Sequence, residues 1–172
     1  MNWIVAALAV FTALDLPQRC HQLRAVTSRE RVVVAAGLIA AVVGLAALAT
    51  SMLDALDISG PNVEIGAGIV LALYSLLALA RWDDSTPPPA VAEGIIPLLF
   101  PIVLTPAVGV VVLAVSARNG LLVPTITAVV AAALIAWNGV DGAIGRRPVR
   151  MLSGVIGVVV GIAMIVDGAF AV

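Results

Sequence analysis

FTALDLPQRC, residues 11–20, sets Asp15 and Pro17 inside a run that is otherwise apolar from Trp3 onward. Proline removes a backbone N–H and its ring collides with the carbonyl four residues back, so a helix entering this stretch is interrupted within it. PIVLTPAVG, residues 101–109, repeats the arrangement around Pro106 in the second half of the chain. At membrane depth, the backbone groups freed by such a break are tolerated only where protein or a water-filled cavity satisfies them. Whether these two stretches lie within lipid therefore decides the fold.

Composition places them there. The 172 residues are 62% hydrophobic and 11% charged, against about half apolar and about a quarter charged in a soluble domain. Six hydrophobic units recur: about 3–25 with the interruption at Asp15 to Pro17, then 31–53, 62–81, 94–116, 121–138 and 149–171. Units of this length can cross roughly 30 Å of hydrocarbon as helix, and the breaks between them leave no room for a soluble domain. A single integral membrane domain, 1–172, is expected, all-α and polytopic. The first unit has no basic leader and no small-residue cleavage site after it, so it is read as part of the mature chain.

Nine basic residues, all Arg, against ten acids argue against nucleic-acid binding. One Cys and one His exclude an internal disulfide and any His-cluster metal or haem site, so no metal or cofactor is expected. There is no phosphate loop, nucleophile elbow or other catalytic constellation, and the chain is not read as an enzyme. With six crossings, one side collects Arg19, Arg24, Arg29, Arg31, Arg81, Arg146, Arg147 and Arg150, and the other only Arg118. Arginine is retained in cytoplasmic loops, which puts both termini outside together with the loop carrying Asp54 and Asp57.

The halves resemble each other. Residues 3–81 give a Pro-broken unit, an uninterrupted Ala/Val/Leu unit and a Pro-initiated Gly-rich unit; after a Pro-rich connector, 82–93, residues 94–172 give the same series. An offset of about 86–89 residues pairs Pro17 with Pro106, Pro61 with Pro148 and Gly68 with Gly154. Three crossings per repeat make the second copy inverted, so the expected architecture is two inverted three-helix repeats with helices 1 and 4 broken.

At 1.5 Å per residue, Asp15 lies roughly 18 Å along the first unit and Thr105 and Pro106 roughly 16–18 Å along the fourth. Matched breaks at similar depth in two repeats point to a transport site, here Asp15, Pro17, Gln18, Arg19, Thr105, Pro106 and Gly109. Asp15 and Arg19, one turn apart, are the natural ion pair, and His21 is a candidate proton relay. Two readings of Asp15 stand. Either the first helix ends at Pro17 and leaves Asp15 at the cytoplasmic interface, or it continues to about Ala25 and turns Asp15, Gln18, Arg19 and His21 into the bundle.

Several strings resemble the MarC family of small integral membrane proteins. LDALDISGPNVEIGAGIVLALYSLLAL (53–79) is similar to its third segment, LDLPQRCHQLRAVTSRERVVVAA (14–36) to its N-terminal pattern, IIPLLFPIVLTPAV (95–108) to its fourth segment and MLSGVIGVVVGIAMIVDG (151–168) to its last. The resemblance implies a six-helix, two-repeat protein of the bacterial cytoplasmic membrane, like LysE-type exporters in design, with transport of small neutral amino acids in some members. The chain departs from the family at both breaks. Asp15 is followed by Leu16 before Pro17, Arg19 to His21 replace small residues, and Gly109 is displaced from Pro106.

The expected activity is therefore secondary transport of a small polar or zwitterionic solute. The expected partners are membrane lipid, a coupling proton or sodium ion, and a second copy or another membrane protein. A non-transporting subunit that binds a partner or a lipid head group is the alternative. Glu64 is read as complementing the dipole at a helix start, Arg150 as a cytoplasmic anchor, and Gly66, Gly68, Gly154, Gly157 and Gly161 as small-residue packing stripes.

Overall fold

The computed structural model describes residues 1–17, 20, 23, 27–80, 105–138 and 147–171. Among them the regular structure is entirely helical: α1 (Trp3–Ala13), α2 (Ser28–Ala55), α3 (Gly60–Ala80), α4 (Pro106–Asn119), α5 (Leu122–Asn138) and α6 (Arg147–Ala169). Each falls within or close to one hydrophobic unit of the sequence. Residues 94–104 of the fourth unit, the 82–93 connector and the segment 139–146 lie outside the described residues.

α2, α3 and residues Pro148–Ala169 of α6 are long and apolar enough to cross a membrane, whereas α1, α4 and α5 are shorter apolar helices. Their burial is inverted relative to a water-soluble bundle. Only 33%, 28% and 28% of the most apolar windows of the three long helices are buried, so most of each faces outward. The outward positions carry Leu48, Leu73, Leu76, Leu77, Val159 and Ile162, while Ala6, Ala9, Val34, Val42, Ala67 and Val111 fill the interior. Alanine and valine predominate inside, with Leu38, Leu71 and Met164 among them, and the many large apolar side chains outside suit a lipid solvent, in which helices associate through close packing.

α1 ends at Ala13, four residues before Pro17, whose missing N–H and bulky ring would fall at the Ala13 carbonyl. Leu14 and Asp15 form the turn, with the Asp15 N–H donating to the Thr12 carbonyl at 3.0 Å. Asp15 has φ +45°, a left-handed conformation that a short polar side chain tolerates better than most. Helical geometry resumes at Leu16 and Pro17. In the fourth unit, Thr105 is extended and its hydroxyl accepts from the Val108 N–H at 3.4 Å, so a new helix starts with Pro106 in its first turn.

α2 opens with a capping box. The Thr27 N–H donates to Glu30 Oε2 at 3.0 Å, and the Glu30 N–H donates back to the Thr27 hydroxyl at 3.4 Å. α3 and α6 form the closest pair, and glycines set the distance between them. A Cβ on Gly68 would fall 2.5 Å from the Gly161 carbonyl oxygen, and one on Gly168 would fall 2.9 Å from that of Pro61. Gly154 meets Leu79 and Gly157 meets Ser75, so contact positions descend along α3 as they ascend along α6 and the pair is antiparallel. Gly66 has open space and takes no part. Around this pair, α4 packs on α3 and α2, α5 on α2, and α1 on α6, α5 and α4.

Candidate functional site

One end of the bundle is fixed by polar contacts. The Met1 amino group lies 3.6 Å from Asp167 Oδ2, and Asn119 Nδ2 donates to the Met1 carbonyl at 3.4 Å. Beside them an Arg118 guanidinium N–H donates to Glu64 Oε2 at 2.5 Å. Measured from this end, Asp15 lies about 18 Å along α1 and Thr105 about 20 Å along α4. The two breaks thus share a level, and α1 packs on α4.

Asp15 is 8% exposed and lines a cleft between α1, α3 and α6. Thr12 comes from its own helix, Tyr74, Ser75 and Ala78 from the last turns of α3, and Arg150, Ser153 and Gly154 from the first turns of α6. The cleft contains ≈ 310 Å³ of atom-free space including its open mouth. Its enclosed part has room for about one water molecule in this conformation. An acid, a base, a phenol and three hydroxyls converge on it, so opposite charges and neutral donors are offered within one small volume. Glycine at 154 and 157 is what lets α6 come close enough to α3 to form its floor.

This position falls between the two sequence readings. Asp15 lies past the middle of the bundle toward the Arg-rich end, beside the last turns of α3 and the first turns of α6, and it is enclosed by helices. Pro17 sits just beyond the turn and acts by ending α1 at Ala13. Thr105, Pro106 and Gly109 do not line this cleft; Thr105 is used in capping α4, and Gly109 has open space where a side chain would be. Gln18, Arg19 and His21 lie outside the described residues.

The cleft recruits residues that the sequence pattern passed over. Thr12 precedes Asp15 by about one turn, and Ser153 follows Arg150 by the same spacing. Tyr74 and Ser75 are the polar interruption in the C-terminal half of α3. Polar side chains at helical spacing in apolar helices were the available signal. Arg150, expected to be an anchor, belongs to the cleft. Glu64, expected to serve a helix dipole, is 1% exposed and ion-paired across helices. Among the described residues no three His, Cys, Asp or Glu side chains converge as a metal site would require.

No family model, curated protein or solved structure matches the chain.

Proposed function

We propose that the chain is a secondary transporter of a small polar or zwitterionic molecule, such as a neutral amino acid, in a bacterial cytoplasmic membrane. The observation that carries this reading is the enclosed Asp15 facing the Arg150 cleft at the end of a proline-broken helix. An ammonium group would bind toward Asp15 and a carboxylate toward Arg150, with Tyr74, Ser75 and Ser153 completing the polar wall. The resemblance to the MarC family points the same way.

In this reading the six helices all cross the membrane as two inverted repeats, with both termini outside. Helix packing supports it. A two-fold axis in the membrane plane would exchange α1 with α4, α2 with α5 and α3 with α6, and each of these pairs is in contact. The same exchange carries the α3–α4 contact onto α6–α1 and the α2–α4 contact onto α5–α1, both of which occur. α3 and α6 run antiparallel, as inverted equivalents must. The narrow interior of the cleft favours a second reading, a non-transporting membrane subunit that holds a partner or lipid head group there.

A thermal-shift screen of the purified protein against amino acids, polyamines and lipid head groups separates the two, because only a carrier is stabilised by a free solute that it then moves in liposomes. For that solute, Asp15→Asn is expected to lower flux about tenfold or more, since a charge-assisted contact contributes roughly 1.5–3 kcal/mol. Flux at the original rate would remove Asp15 from the mechanism.

A further inference from the structure

We propose that Glu64 is the binding site of the coupling proton, and that its ion pair with Arg118 holds the outer end of the α3–α4 seam closed until that proton arrives. The proposal rests on the transporter reading and adds to it the ion and the place where it acts.

Glu64 is 1% exposed, and only one of its carboxylate oxygens is engaged. Oε2 accepts from Arg118, while Oε1 is buried with no hydrogen-bond partner among the described residues. Oε1 is thus an open acceptor inside the seam, and a proton bound there neutralises the carboxylate and cancels its charge attraction for Arg118. The covalent change is confined to one new O–H bond, with the proton drawn from outer water. Arg118 stays charged after its partner is neutralised. Its side chain is 35% exposed, so it can follow its charge into water and leave α3 and α4 without their polar tie.

The surroundings favour a proton over sodium. A sodium ion would need several oxygen ligands that this side chain alone cannot supply, whereas one idle carboxylate oxygen is enough for a proton. Among the described residues, the other charged groups at this end are the Met1 amino terminus and Asp167 of α6, paired with each other at 3.6 Å, and Asp54 and Asp57 at the end of α2 and in the turn after it. The seam related to α3–α4 by the repeat exchange is α6–α1, and it is there that Asp15 and Arg150 line the cleft. One seam is thus tied at the outer end while the other carries the polar cleft toward the inner end, the arrangement of a carrier closed to the outside.

Val115 of α4, fully buried and about one turn before Arg118 on the same helix face, reports on this seam. With the single native cysteine changed to serine, Val115→Cys is labelled by a hydrophilic maleimide in nanodiscs of the full chain. Leu121→Cys, 44% exposed in the α4–α5 turn, serves as reference for the thiolate fraction. When the pH is lowered from about 7.5 to about 5, the labelling ratio of the two sites is expected to rise roughly tenfold. Adding Glu64→Gln should give the high ratio at both pH values. A ratio indifferent to pH overturns the proposal, as does a pH response that survives Glu64→Gln or a response to sodium at fixed pH. If Glu64→Gln does not fold, the pH response and sodium indifference of the Glu64 protein decide the matter alone. Solute flux is measured separately. Flux with pH-indifferent labelling overturns the proton site but not the transporter, whereas pH-driven labelling without flux supports the proton site and counts against the transporter.

Discussion

Gly161→Ala should loosen the α3–α6 pair by about 1–3 kcal/mol, the range for forcing an extra methyl into a close-packed interior. The new Cβ would fall 2.7 Å from the Gly68 carbonyl oxygen and 2.8 Å from the Ala72 nitrogen. Both are backbone atoms of α3, so no rotamer change relieves the clash and the helices must separate. Gly68→Ala should do the same from the other side, where the Gly161 carbonyl oxygen is 2.5 Å away. The size of the effect follows from the solvent. With lipid as apolar as the helix surfaces, close packing is the main attraction between α3 and α6, and a small separation forfeits much of it. Gly66→Ala is the control, because it lies on the same helix and meets nothing within 4 Å. There the change should be neutral or stabilising by about 0.5–1 kcal/mol through helix propensity. Thermal unfolding in detergent micelles measures all three. Equal behaviour of Gly66→Ala and Gly68→Ala would show that glycine-mediated contact does not hold this pair.

Arg118→Ala should destabilise the protein by about 3 kcal/mol, the lower end of the range for stripping a buried ion of its partner. The lower end applies because Arg118 is itself 35% exposed, whereas Glu64 at 1% has no access to water. Most of the loss is the cost of an ionised, unpaired Glu64, not the strength of the missing contact. One consequence separates these contributions. Adding Glu64→Gln to Arg118→Ala should recover most of the stability, which a double-mutant cycle would read as strong coupling. An Arg118→Ala protein as stable as the parent, or a cycle without coupling, would mean that the pair carries no energy.

Glycine identity alone could not distinguish Gly66 from Gly68, two residues apart on one helix. Position 68 meets Gly161 from across the bundle, and position 66 faces open space. Glu64 shows the same limit. Its place near a helix start suggested a dipole partner, but burial and pairing come from Arg118, 54 residues away in the chain. The cleft was half legible. Asp15 and Pro17 stood out because an acid and a proline are rare inside an apolar run, whereas Tyr74, Ser75, Ser153 and Arg150 gained meaning only when α3 and α6 met beside α1.

Taken alone, the residues determined that the chain is helical, where α2, α3, α5 and α6 begin and end to within a few positions, and that the first unit is broken at Asp15 to Pro17, while leaving open whether the helix stops there. Each of these follows from local chemistry: apolar length, missing amide protons and capping side chains act within a few residues of themselves. Only the tertiary structure decided which face of each helix turns inward and which polar groups share a cleft. These helices are apolar nearly all round, so no stripe of polar residues marks an outside, and the inward face is chosen by fit against another helix.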